Sequence, residues 1–301
     1  MSSPCRGPWR APRRALASLS CLALAFPGAA LHAEDAAAAL ARGDAAWARR
    51  AEGSTGARAA PGPIAEAAAA YEAAVAADPA SLEARWKLVR ARWYEGDYAT
   101  PDPEAKKAIF ARGRDASEQA LDRLAAAVGG RAKLDGMEPA EAARALAAVP
   151  EAKPVLYWSA ALWGVWGDAY GRMAAARQGV ASKVRWRAQV VEILDPAFER
   201  GGPPRVLGRL HALAPRFPFV TGWIDRDFAI AELKRAVALA PEDTFNRLYL
   251  AEALAEYRPA ATAELRAQLD ALARMEPSPE RLVEDRRNLE AAARLSAGSA
   301  K

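Results

Sequence analysis

The sequence predicts an all-α chain, a degenerate array of helical hairpins of the α-solenoid kind. Three observations carry this reading. Alanine, leucine, arginine and glutamate dominate the composition, and all four favour helix, whereas strand-forming runs of Ile, Thr and Val are scarce. Stretches of apolar 3.6-residue periodicity alternate with short clusters of Gly, Pro and Asp. Two helices far apart in the chain share one spaced pattern of small and apolar residues.

The first 33 residues read as a secretory signal peptide. Arg6, Arg10, Arg13 and Arg14 form a basic start, Ala15 to Phe26 is an apolar run of 12, and Pro27-Gly28 breaks it. That run is too short to span a bilayer as a helix. Cleavage after Ala33 or after Ala30 fits the small residues there. Ser18-Leu19-Ser20-Cys21 departs from a lipid-attachment motif, with Ser at minus three and apolar residues continuing past the cysteine, so ordinary secretion fits better than a lipoprotein. Removing the segment takes four arginines and no acid, and the net charge falls from +5 to +1. The high isoelectric point therefore gives no argument for nucleic acid. Cys5 and Cys21 leave as well, so residues 34–301 rely on packing rather than on disulfides. No other segment is apolar enough to cross a membrane.

From Asp35 the helices follow in order. Asp35–Ala51 ends at Gly53, and a loop runs to Pro63, which suits a first helical position for Ile64–Ala77. Ser81 is placed to cap Leu82–Glu95, which Gly96 ends, and Asp102 to cap a long helix from Pro103 to about Val128. Shorter helices are expected at Glu138–Ala148, Lys183–Leu194 and Val206–Leu213, with the most aromatic one at Lys153–Arg177. Arg200-Gly-Gly-Pro-Pro-Arg-Val-Leu-Gly208 reads as a sharp turn, able to serve as a plain connection or as a binding loop. Helices at Asp227–Leu239, Thr244–Tyr257, Ala260–Arg274 and Pro279–Leu295 complete the chain.

Ala67, Tyr71, Ala74, Val75 and Pro79 stand at the same offsets as Ala229, Leu233, Ala236, Val237 and Pro241. This is the second-helix signature of a tetratricopeptide repeat (TPR): small residues on one face admit a neighbouring helix, and the proline turns the chain into the next unit. The middle, Glu104–Gly222, follows no clean period, so the array is TPR-like and interrupted.

The chemistry-bearing residues point to binding more than to catalysis, and no cofactor is expected. His211 is the one histidine left after the signal, apart from His32 beside the cleavage site, and it reads as a packing residue. No cysteine nucleophile, metal-ligand spacing or phosphate-binding loop is present in residues 34–301. Carboxylate-only chemistry is the surviving enzymatic route, but acids such as Glu232 sit near arginine partners such as Arg235 on ordinary helical faces.

The segment from Tyr157 and Trp158 to Gly171 is the candidate site. Ala160, Gly164, Gly167 and Gly171 fall on one helical stripe, and Trp163, Trp166 and Tyr170 on another beside it. Interior glycine costs about 1 kcal/mol against alanine, so something must need the missing volume. Two readings fit: close helix packing with the aromatics as core, or a groove with a glycine floor and an aromatic wall for a partner helix or an apolar ligand. Asp168, Arg172 and Arg205 would supply polar contacts.

Three pieces occur in a fixed order: Tyr157-Trp158-x4-Trp163-Gly164; Leu194-Asp195-Pro196-x-Phe198-x2-Gly201-Gly202-x2-Arg205-x2-Gly208; and Gly222 before Ala229-x6-Ala236-x4-Pro241. Together they resemble the TRAP-transporter-associated T-component (TatT) family of exported TPR-like proteins, over roughly Lys107–Leu254. The resemblance implies an envelope or periplasmic helical-repeat partner for the solute-binding protein of a TRAP uptake system, handing on an apolar or organic-acid ligand. Expected alternatives are a periplasmic carrier of such a ligand and a general envelope-assembly TPR protein.

Overall fold

A computed structural model describes Met1, residues 27–218 and residues 220–299. The residues that carry the expected signal, up to Phe26, lie almost wholly outside the described part. Among the described residues the fold is helical throughout, with a single isolated bridge between Thr55 and Arg58 and no strand. No described helix is long and apolar enough to cross a membrane.

The helices run α1 (Pro27–Ala48), α2 (Pro61–Ala77), α3 (Leu82–Tyr94), α4 (Pro103–Ala125), α5 (Arg131–Asp135), α6 (Pro139–Leu146) and α7 (Ala152–Tyr170). They continue as α8 (Arg172–Arg177), α9 (Val180–Leu194), α10 (Phe198–Leu213), α11 (Arg226–Leu239), α12 (Thr244–Tyr257), α13 (Thr262–Ala273) and α14 (Leu282–Ser299). Both expected cleavage points fall inside α1.

Local signals explain most boundaries. The Ser81 hydroxyl accepts from the Ala84 N–H at 3.1 Å and the Asp102 carboxylate from the Ala105 N–H at 2.7 Å, so both expected caps form. Asp225 and Asp243 cap α11 and α12 in the same way. Several boundaries differ from expectation. Pro61 rather than Pro63 takes the first position of α2. The chain does not stop at Gly96 but continues through a π-helical turn, Glu95–Ala99. α5 was not expected. The aromatic helix ends at Gly171, whose φ of +85° only glycine adopts readily, so Lys153–Arg177 is two helices rather than one.

Consecutive helices pack on one another from α1 to α4 and again from α9 to α14, with α7 bridging α3, α4, α9 and α10. The shared spaced pattern is buried as its spacing requires: Ala67, Tyr71, Ala74, Ala229, Leu233 and Ala236 are all at most 1% exposed. α2 lies between α1 and α3, and α11 between α10 and α12.

The two ends of the array meet, which distinguishes it from an open solenoid in which each unit touches only its neighbours. Arg50, just past α1, pairs with Glu284 of α14 at 3.1 Å and also donates to the Glu280 carbonyl. Arg287 of α14 reaches Asp97 in the π-helical turn at 2.6 Å. Phe245 of α12 and Val283 of α14 share one apolar cluster with Ile64, Tyr71, Tyr94 and Tyr98. The helices therefore close into a ring, and what an open array would present as a concave face becomes a half-open central cavity.

One polar anchor fixes α7 against its outer neighbours. Glu118 of α4 accepts from Trp163 Nε1 at 2.7 Å and from Arg187 at 2.7 Å, while Arg131 binds its other oxygen. Burial alone would raise the Glu118 pKa, but Arg187, Arg131 and Trp163 outweigh it and hold the pKa down at about 2. A carboxylate depressed in the folded state stabilises the fold fully above its unfolded value and loses that contribution as pH falls through the folded value. Glu118→Gln is therefore expected to cost on the order of 3 kcal/mol at neutral pH. Urea unfolding should show this gap from wild type shrinking below about pH 4.5 and largely closing near pH 2.

Candidate functional site

The helices surround a half-open cavity of about 1260 Å3. Its wall comes from α1, α3, α7, α8, α9, α10, α12 and α14, with the loop after α10 at the rim. The helix α7 contributes the longest stretch: Tyr157, Trp158, Ala160, Ala161, Gly164, Val165, Gly167 and Asp168.

Gly164 explains why α7 tolerates interior glycine. A Cβ built on Gly164 would meet nothing within 4 Å, so no neighbouring helix needs its missing side chain. Gly167 differs, since a Cβ there would press on Val180 of α9 at 3.2 Å. Gly164 thus lies open on the cavity, as the groove reading expects, and Gly167 serves mainly close packing.

The expected aromatic wall lies elsewhere. Trp163 and Trp166 are 1% and 3% exposed and do not line the cavity, and neither does Tyr170. Trp163 is tied to Glu118, and the Tyr170 hydroxyl donates to the Lys107 carbonyl of α4 at 3.2 Å. Trp166 bridges the two, edge-on to Trp163 and stacked on Tyr170 with ring centroids 4.5 Å apart. The aromatic stripe of α7 therefore faces α4 while the glycine stripe faces the cavity. The walls are aromatic all the same: Trp47, Trp93, Tyr157, Trp158, Phe245 and Tyr249 supply them. Trp93 and Trp158 touch at 5.3 Å between centroids.

Arg205 organises one end. It donates to the Tyr157 hydroxyl at 2.7 Å, to Asn246 Oδ1 at 2.9 Å and to the Glu199 carbonyl at 3.0 Å, and it pairs with the fully buried Asp243 at 3.3 Å. Arg281 binds the other oxygen of Asp243. Burial works against the Arg205 charge, but Tyr157 and Asp243 more than offset it and its pKa lies above the guanidinium norm. Burial likewise pushes Asp243 up, yet Arg205 and Arg281 bring it below the usual carboxylate range.

The turn before Arg205 is built to aim it. Glu199 and Arg200 adopt φ of +49° and +58°, a left-handed conformation costing about 1–2 kcal/mol for each non-glycine residue. Their carbonyls accept from Arg205, and the Arg200 carbonyl also accepts from Asn246. A Cβ on Gly202 would sit 2.5 Å from the Tyr157 ring, so that glycine admits the tyrosine. Gly201 approaches Ala236 and Gly208 approaches Ala229 and Leu233 at similarly short range. The sequence pieces read separately thus form one junction of α7, α10 and α11. The right-handed run of α10 begins at Gly202, after the left-handed turn at 199–201, rather than at Val206.

Of the expected residues, Tyr157, Trp158, Gly164, Gly167, Asp168, Arg172 and Arg205 line the cavity, and Trp163, Trp166 and Tyr170 do not. Sequence reasoning missed Trp47, Arg90, Trp93, Phe245 and Tyr249. They come from helices distant in the chain, and no local spacing marks them.

Asp168 is accessible from the cavity, yet the protein around it strips hydration and raises its pKa; Asp97 adds to this and Arg209 opposes it. His211 packs against Trp223 and Phe228, accepts from the Asp225 N–H through Nδ1 at 3.1 Å, and has its pKa lowered by burial and by Arg185. It is a packing residue, as expected. No group of three or more His, Cys, Asp or Glu among the described residues is placed to hold a metal. No protein-family model matches the chain, and no curated protein matches it in sequence.

Proposed function

We propose that this chain is an exported, TPR-like carrier that binds an apolar or amphipathic molecule in its central cavity and presents it to a protein partner at the cavity rim. The observation that carries the reading is Gly164, a helix-interior glycine whose missing side chain leaves room in an aromatic-walled cavity and serves no packing. The buried Ala67/Tyr71/Ala74 and Ala229/Leu233/Ala236 faces support the TPR-like hairpin. Ring closure makes its concave side a pocket.

The rim supports a partner. Leu213, Phe217 and Val220 line the cavity mouth and are 48%, 41% and 56% exposed, a grouped apolar surface of the kind that docking sites show. The resemblance to the T-component family supplies a candidate, the solute-binding component of a TRAP-type transporter, and the cell envelope as the compartment. Binding is favoured over carboxylate catalysis because Asp97, the acid coupled to Asp168, is engaged by Arg287.

Native mass spectrometry of the protein purified without detergent from its own host tests this. A small molecule that stays through gentle ionisation and leaves on denaturation is the expected result. Ligand-free protein recovered with a stoichiometric protein partner would replace the carrier with a plain adaptor.

A further inference from the structure

We infer that the cavity selects a carboxylate-headed amphipath, with the head at Arg90 and the apolar body along the Gly164 face. This rests on the cavity being a ligand site, and it assigns the ligand's class.

Arginines line the cavity, and most are already neutralised. Arg50 pairs with Glu284, Arg205 and Arg281 with Asp243, Arg209 with Glu252, and Arg287 with Asp97. The exposed Arg172 is not, and neither is Arg90 of α3. Among the described residues no carboxylate lies within ion-pair distance of it. Its guanidinium rests over the Trp47 ring at 3.9 Å and near the Trp86 ring at 4.9 Å, and its Nε makes no hydrogen bond. Burial draws its pKa below the usual value, partly offset by the neighbouring Tyr71 hydroxyl, which also hydrogen-bonds to it, and by the charge of Glu199. Aromatic faces hold a guanidinium through its π surface and leave its edge donors for a planar acceptor. Such a cation, desolvated and without a carboxylate partner, gains most from an incoming anion.

A second donor without a partner lines the same cavity. Trp93 stands one turn after Arg90 on α3 and touches Trp158, whose buried indole N–H has no acceptor. The head is a monoanion, because Glu199 acts electrostatically on Arg90 and Glu280 also lines the cavity, so a dianionic phosphate would meet like charge. The fork of arginine matches a carboxylate. The body is large, since about 1260 Å3 exceeds the roughly 300–1,000 Å3 of ordinary small-ligand pockets, and aromatic walls suit a long acyl chain.

Fluorescence titration of the full chain with cis-parinaric acid and with its methyl ester tests the assignment. Wild type should bind the acid about 10-fold more tightly than the ester, as one charge-assisted contact allows. Arg90→Gln, checked for wild-type circular dichroism, should lower acid affinity to that of the ester and leave the ester unchanged. Equal wild-type affinities would overturn the inference without using any variant, as would an acid preference that survives Arg90→Gln. A monododecyl phosphate that displaces the probe better than laurate would overturn the carboxylate head. Failure of both acid and ester to bind would remove the cavity reading itself, and this inference with it.

Discussion

Arg205→Ala is expected to destabilise the fold by about 3–5 kcal/mol, the range seen when one member of a buried ion pair is removed. Asp243, fully buried, keeps Arg281 but loses its more deeply buried counter-charge. The Tyr157 hydroxyl and the Asn246 side-chain oxygen lose a donor together. The left-handed turn at Glu199 and Arg200 loses the contact that holds its carbonyls, so its strain is no longer offset. For a chain of this size the loss corresponds to a fall in Tm of about 10 °C. Arg205→Lys should recover little, because a single ammonium cannot reproduce the fork that spans Tyr157 on one nitrogen and Asn246 on the other. Thermal unfolding by circular dichroism measures both. A variant within about 1 kcal/mol of wild type would mean that the junction of α7, α10 and α11 does not depend on this guanidinium.

Gly164→Leu is expected to act in the opposite sense on stability and to abolish binding. Leucine is a far better helix former than glycine, and nothing lies within 4 Å of the added Cβ, so the fold should gain about 0.5–1 kcal/mol. The new side chain would occupy the cavity beside Ala160, Ala161 and Val165 and displace an apolar ligand from that face. A loss of at least about 100-fold in affinity is expected for a ligand that fills the cavity, since overlap costs several kcal/mol. The pairing of higher Tm with lost binding separates a cavity wall from a packing contact. Close packing would instead give destabilisation, as a substitution at Gly202 against Tyr157 should.

Much of this architecture was legible in the sequence, and the failures have physical causes. Helix caps are local, so Ser81 and Asp102 could be read from their spacing alone. The alanine registers of α2 and α11 depend on short-range periodicity and were equally visible. On α7 both stripes were found and a glycine floor was among the readings, but the aromatic stripe was placed on the wrong side. Aromatic and glycine stripes lie side by side on one helix, and only the neighbours decide which faces inward. Glu118 and Lys107 of α4 turned Trp163 and Tyr170 outward from the cavity. Ring closure was invisible because it depends on pairs such as Arg50–Glu284, separated by 234 residues. The same distance in sequence hid Trp47, Arg90 and Phe245 as wall residues. The left-handed kink at Glu199–Arg200 escaped notice because glycine and proline follow it, and those two alone would mark the turn.

The central claim, that the closed ring holds a ligand against the Gly164 face, is tested most directly by titration with N-phenyl-1-naphthylamine. Energy transfer from the cavity tryptophans Trp47, Trp93 and Trp158 reads binding at the wall itself. Saturable binding at one site in wild type, lost in a folded Gly164→Leu protein, is the expected result. Binding that Gly164→Leu leaves intact, or no saturable binding in wild type, would contradict it.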